Sequence, residues 1–212
     1  MSSVSTPESE TVGTRMRADE RRALVLEAAT RVFGERGYHG ATTDAVARAA
    51  GVSQPYVVRM FGSKEALFIA VLERALERLM ATFESALVES EDAAASGDAD
   101  AVSHCIAQNY AELLSDRGLL LSLMQAFMLG ADPVIGPVAR AGMRRAYEFL
   151  RDRAGMGPDE AHEFLALGMM LNTLVGLRMA DDYEREPTVR ELLDEALPTK
   201  VPLLLSLRDA ES

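Results

Sequence analysis

Residues 42–64, TTDAVARAAGVSQPYVVRMFGSK, restrict the fold more than any other stretch of the chain. Thr42 is a good N-cap, because its hydroxyl can take a backbone N–H of the first turn. Val46, Ala47 and Ala50 follow at helical spacing and predict a buried face, and the small residues at 47, 49 and 50 let a second helix come close. Gly51 supplies the left-handed backbone that a tight turn often needs. Ser53 is placed to cap a further helix, with Pro55 in its first turn, where a missing N–H does no harm. Gly62 stops that helix and Ser63 starts the next, with the acid Glu65 close by but not at the ideal third position. Two short helices joined by Gly51-Val52-Ser53 are the outline of a helix-turn-helix, the smallest unit that can put one helix into a DNA groove.

The flanking sequence is helical by the same signals. Val25, Ala28, Ala29, Val32 and Phe33 form one apolar stripe, predicting a helix over 19–35 that ends before Gly37. Tyr38-His39-Gly40 reads as a connecting loop, with His39 a turn residue. Upstream, the Ser/Thr/Glu-rich residues 1–14 read as a disordered tail. Arg15, Arg17, Arg21 and Arg22 form either a basic arm on phosphates or a solvated helix start. Downstream, a long amphipathic helix is expected over 67–89 and a loop over 91–99. A fifth helix is traced by Val102, Cys105, Ile106, Asn109, Tyr110 and Leu113. A sixth over 118–129 is apolar nearly all round and is expected to be buried. A seventh over 133–154, an eighth over 159–180 and a ninth over 187–197 follow, and Pro198 and Pro202 break the end of the chain. No segment sustains period-two alternation, so the expected fold class is all-α, with about nine helices.

The segment from Glu20 to Phe68 resembles the N-terminal domain of the TetR/AcrR family of bacterial transcriptional regulators. The resemblance is carried by Ala28-Ala29, Phe33, Gly37-Tyr38, Ala50-Gly51-Val52-Ser53, Phe61 and Ser63-Lys64-Glu65. It implies an all-helical homodimer in which each subunit offers one recognition helix to a palindromic operator. Together with the polar tail 1–14, the resemblance leads to three expected regions: that tail, a DNA-binding domain over 15–66, and a helical ligand-binding and dimerisation domain over 67–209.

Physical chemistry suggests which residues would contact DNA. Ser53, Gln54, Pro55 and Tyr56 open the recognition helix. Gln can contact adenine through both amide groups, while Pro55 and the Tyr56 ring can pack on a thymine methyl. Arg59, one turn on, reaches a phosphate or a guanine. Lys64, the helix start beside it, and Thr43 suit phosphates. Asp44 would repel phosphate and fits the helix N-terminus better. The chain departs from the family at Val58, where many members carry a Tyr that grips a phosphate, and at Met60, where His is frequent. The plainer alternative is that Val46, Val52, Val57 and Phe61 are a small helical core, with Gln54 and Tyr56 ordinary surface.

The formal charge of −11 looks wrong for a DNA-binding protein, but its distribution corrects that impression. Residues 11–70 hold nine Lys/Arg against six Asp/Glu, whereas residues 71–212 hold 13 against 25. A mildly basic head on an acidic body would turn head-first toward DNA, although the acidity also simply favours solubility. No apolar run approaches the ~20 residues that span a bilayer, and the polar start MSSVSTPESETVG lacks the features of a signal peptide. Cys105 is the only cysteine, in keeping with a reducing compartment. A cytoplasmic protein with no membrane association is therefore expected.

The region beyond residue 75 lacks a phosphate loop, paired metal ligands and a nucleophile constellation, so no enzyme, cofactor or metal is expected. Its Met and Phe residues instead suggest an apolar pocket for a small hydrophobic effector. The expected lining is Met124, Phe127, Met128, Phe149, Phe164 and Met169. Asn109, Gln125, Asn172 and Thr173 are the polar points, since a buried amide must be paired. Ala161, Leu165, Gly168, Asn172, Val175 and Met179 share one face of the eighth predicted helix. With Leu192, Leu193, Ala196 and Leu197 of the ninth, that face can form a homodimer seam, so Asn172 is a candidate for pocket and seam alike. The expected function is a dimeric regulator, in the first instance a repressor, that releases double-stranded operator DNA on binding its effector. The alternative is a helical ligand-binding or protein-interaction module that no longer binds DNA.

Overall fold

The computed structural model describes residues 8–90, 101–102, 105–106, 109–110, 113, 116–197 and 201–210, with side chains from Ala18 onward except 203 and 207–210. Among these residues the secondary structure is helical, with no strand. The chain divides into two compact units, Met1–Val71 and Leu72–Ser212.

The first unit holds α1 (Glu8–Gly40), α2 (Thr43–Ala50), α3 (Gln54–Phe61) and the start of α4 (Lys64–Glu89). Helix α1 begins well before residue 19, so residues 8–14, expected to be a disordered tail, are helical. At the other end Gly37, at φ 70 and ψ 167, interrupts the helix where a stop was expected. The predicted stripe of α1 is buried, and Phe33 meets Phe68 edge-on at 4.9 Å between ring centroids. Tyr38 closes the cluster, 5.0 Å from Phe68. Leu67, Phe68 and Val71 are thus core residues of the first unit. The boundary therefore falls inside α4, between Val71 and Leu72, instead of at the expected 66/67.

The second unit contains the rest of α4, the helical residues described between Ala101 and Leu113, α5 (Arg117–Met128), α6 (Ile135–Asp152) and α7 (Pro158–Gly176). A 3-10 turn (Met179–Asp182), α8 (Pro187–Ala196) and α9 (Val201–Ala210) complete it. Asp132 starts α6 by accepting the N–H groups of Val134 and Ile135 at 2.9 and 2.8 Å, which holds its carboxyl below the ordinary range. Helix α7 ends at Gly176, short of the predicted 180, because Arg178 turns left-handed at φ 57. Helix α5 is not buried all round as its composition suggested. Leu119, Leu120, Leu123 and Ala126 face inward, while Met128 is 86% exposed. Gly142 of α6 lies so close to α4 that a Cβ there would stand 2.5 Å from a Leu76 methyl.

Candidate nucleic-acid interface and cavity

Helices α2 and α3 meet at a turn built as the sequence indicates. Thr42 Oγ1 accepts the Ala45 N–H at 3.1 Å, and Gly51 takes the left-handed conformation at φ 67. Ser53 occupies the N-cap position of α3 but makes no capping bond, which leaves its exposed hydroxyl to other partners. Val57 is fully buried and anchors α3. The Arg22 guanidinium lies 4.5 Å from the centroid of the Phe61 ring, so this arginine packs on α3 rather than extending as a free arm. The side chains of Arg15 and Arg17 lie outside the described residues. Pro55 and Arg59 are exposed, Gln54 and Tyr56 half-exposed, and Arg59 sits 5.3 Å over the Tyr56 ring. Asp44 is paired with Arg48 at 2.6 Å, which offsets the repulsion it would offer a phosphate.

Two of the expected phosphate contacts also serve inside the unit. Gln54 Nε2 donates to Thr43 Oγ1 at 3.2 Å, bridging the starts of α3 and α2. Lys64 Nζ donates to the Tyr38 carbonyl at 3.0 Å and lies 4.6 Å over its ring, fastening α4 to the end of α1. An ammonium has three N–H groups and a Gln amide two, so each keeps a donor for DNA. Ser63 Oγ caps α4 by accepting the Ala66 N–H at 3.0 Å.

In the second unit a cavity opens among α4, α5, α6, α7 and Tyr110, with about 60 Å³ of free volume. Of the expected lining, Phe127, Phe164, Met169 and Asn172 are there. The other six are elsewhere. Met128 points to solvent because α5 turns its Leu residues inward. Thr173 is exposed and donates to the Met169 carbonyl within its own helix, at 2.9 Å. Asn109 bonds Glu89 and the Cys105 carbonyl, both at 3.1 Å. Phe149 packs on Phe83 with its ring 5.6 Å away but lies outside the lining, as do Met124, which is beside Gly176, and Gln125.

The face of α7 expected at a dimer seam is turned into its own unit. Ala161 and Val175 are buried, Leu165 and Gly168 line the cavity, and Asn172 is 4% exposed. Apolar side chains on the opposite face, Leu167, Met170 and Leu177, are 45%, 41% and 66% exposed. Helix α8 likewise buries Leu193, with Leu197 just beyond its end also buried, and shows Arg190, Glu191, Asp194 and Glu195 outward.

Sequence reasoning missed Tyr110 as a site residue. Its hydroxyl donates to Asn172 Oδ1 at 2.6 Å across 62 positions of sequence, and such a long-range pairing leaves no local signal. Burial pushes the Tyr110 phenol up to about 12 and the Asn172 bond offsets this only in part. The phenol is neutral in both folded and unfolded chains below pH ~10. Between ~10 and 12 only the unfolded chain ionises, so stability falls as pH rises, by about 2–3 kcal/mol in all. Urea titrations across this range should show that loss in the native protein and a smaller one in Tyr110→Phe. An equal loss in both would show that this phenol is not responsible.

Among the described residues no cluster of His, Cys, Asp or Glu could hold a metal ion, and no helix is long and apolar enough to cross a membrane. The first unit, with its short capped helices, left-handed turn and exposed α3 N-terminus, has the form of a helix-turn-helix DNA-binding domain. Residues 25–71 match the family described as bacterial regulatory proteins, tetR family. The transcriptional activator FasR of Mycolicibacterium smegmatis is 44% identical over 80 residues, covering 38% of this chain and 36% of FasR. The chain thus spans about a third of the length of the curated relatives it matches.

Similarity of fold extends further. A TetR-like transcriptional regulator from Rhodococcus sp. superposes with a TM-score of 0.59 at 25% identity, covering 88% of this chain and 92% of its own. The multidrug binding protein EbrR, complexed with imidazole, superposes with a TM-score of 0.53 at 26% identity, covering 85% and 91%. Residues 25–71 thus resemble the DNA-binding domain of the tetR family, and the chain as a whole shares its fold with TetR-family transcriptional regulators.

Proposed function

We propose that this protein is a cytoplasmic, dimeric repressor that holds a palindromic operator and releases it when a small apolar ligand enters the second unit. The observation that carries the reading is the N-terminus of α3. Ser53, Gln54, Pro55 and Tyr56 stand at an accessible helix start whose far side is fixed by Val57 and by Arg22 on Phe61. Such a rigid, polar helix start is what base-edge contact requires.

Ligand response rests on α4, which carries both Lys64 and three residues of the cavity wall, Leu76, Leu79 and Phe83. The free volume is below the ~150 Å³ that holds benzene in an engineered apolar cavity. A ligand must therefore push the wall outward, and Met143 and Met169 are wall residues able to yield. A ligand that binds the displaced arrangement better shifts the population away from the DNA-binding one. The multidrug binding protein among the structural neighbours supports a small-molecule role for this region.

For the dimer, the exposed stripe formed by Leu167 and Met170 of α7 and by Leu177 just beyond it replaces the inner face first expected. Selection from a random duplex pool should recover an inverted repeat with half-sites about one helical turn, ~34 Å, apart. The double variant Met170→Glu/Leu177→Glu should sediment as a monomer and recover at most a half-site. An inverted repeat bound equally well by that variant would rule out this seam. The internal bonds of Lys64 and Thr43 favour the second reading, a head that no longer binds DNA. Failure to enrich any sequence would establish it.

A further inference from the structure

We infer that the ligand of the cavity is uncharged and carries a hydrogen-bond acceptor, such as a ketone, ester or ether oxygen, which Asn172 Nδ2 receives. The inference rests on the ligand-binding reading above and adds the chemistry of the occupant.

The cavity wall is apolar apart from one pair of groups, Tyr110 and Asn172, and none of the described residues lining it is charged. Both are buried, at 7% and 4% exposure. The Tyr110 hydroxyl donates to Asn172 Oδ1 at 2.6 Å, which fixes the orientation of the amide and occupies its acceptor. The Nδ2 group, with two N–H donors, has no acceptor among the described residues. The residue is buried, but its Nδ2 is not among the fully enclosed atoms that lack a partner, so it keeps access to open space, and a ligand oxygen placed there gives it an acceptor. A carboxylate is excluded: it would shed its water with no cation in the wall to balance it.

Four six-membered rings of similar size test this with the full-length protein: cyclohexane, cyclohexanone, cyclohexanol and cyclohexanecarboxylate. Calorimetric titration should show the carboxylate binding weakest of all, since it alone must shed the hydration of a charge. Asn172→Leu should lower the affinity for cyclohexanone about tenfold relative to that for cyclohexane, a ratio in which the ketone's greater cost of leaving water cancels. Tyr110→Phe, which preserves shape, frees Oδ1 and should improve cyclohexanol severalfold relative to the ketone. Tightest binding by the carboxylate, or a ketone-to-cyclohexane affinity ratio unchanged in Asn172→Leu, would overturn the inference. If cyclohexane binds and that ratio does not move, the acceptor chemistry fails while the apolar cavity stands. If none of the four binds, the ligand-binding reading fails with it.

Discussion

Phe33→Ala is expected to destabilise the first unit by about 3–5 kcal/mol, the usual cost of emptying a buried phenylalanine site. Phe33 is fully buried, and its ring meets Phe68 at 4.9 Å and Tyr38 at 6.4 Å. These three aromatics join the end of α1 to the start of α4. The site has little means of collapsing, because Tyr38 is itself held by Lys64. A loss of this size is a large part of the 5–15 kcal/mol by which domains are ordinarily stable. Urea unfolding should show an early transition in Phe33→Ala, with operator affinity lost in step. A control at the exposed Arg36, changed to Ala, should stay within ~0.5 kcal/mol of the native protein. A Phe33→Ala protein with a midpoint near that of the control would contradict the packing described here.

The second large effect is on sequence selection. Gln54→Ala and Tyr56→Ala should each lower specific affinity by about 1–3 kcal/mol and relax preference at one or two base pairs. Lys64→Met should instead weaken binding to all sequences and reduce the salt dependence by about one counterion. The Thr43–Gln54 hydrogen bond adds a further expectation: losses in Thr43→Val and Gln54→Ala should not be additive, because each variant removes the same 3.2 Å bond. Competition binding against mutated operator duplexes measures all four variants. If Gln54→Ala and Tyr56→Ala retained the native preference at every position, the assignment of α3 to the groove would be lost.

The first unit was largely legible in the sequence because its signals are local. Thr42, Gly51 and Gly62 act within their own turns, and the stripe from Val25 to Phe33 is a matter of spacing along one helix. The start of α1 was misjudged because polar residues such as Glu8 and Glu10 can as well begin a helix as form a tail. In the second unit the helices were readable but their facing was not. The α7 sequence is apolar on more than one side, so periodicity could not tell the face carrying Ala161 and Asn172 from the one carrying Leu167 and Met170. The cavity depends on pairings such as Tyr110 with Asn172, and on the close approach of Gly142 to Leu76, neither of which leaves a mark in nearby sequence.

Met169 and Met170 are neighbours on α7, yet the first lines the cavity and the second is exposed on the proposed seam. A wall this thin makes ligand and partner subunit two claims on one helix. By linkage, whatever the ligand does to the seam the seam does equally to the ligand. The effector concentration that switches a promoter would then be no fixed property of the protein. It would drift with how many copies the cell holds, so that overproducing the regulator would itself retune the dose at which it responds.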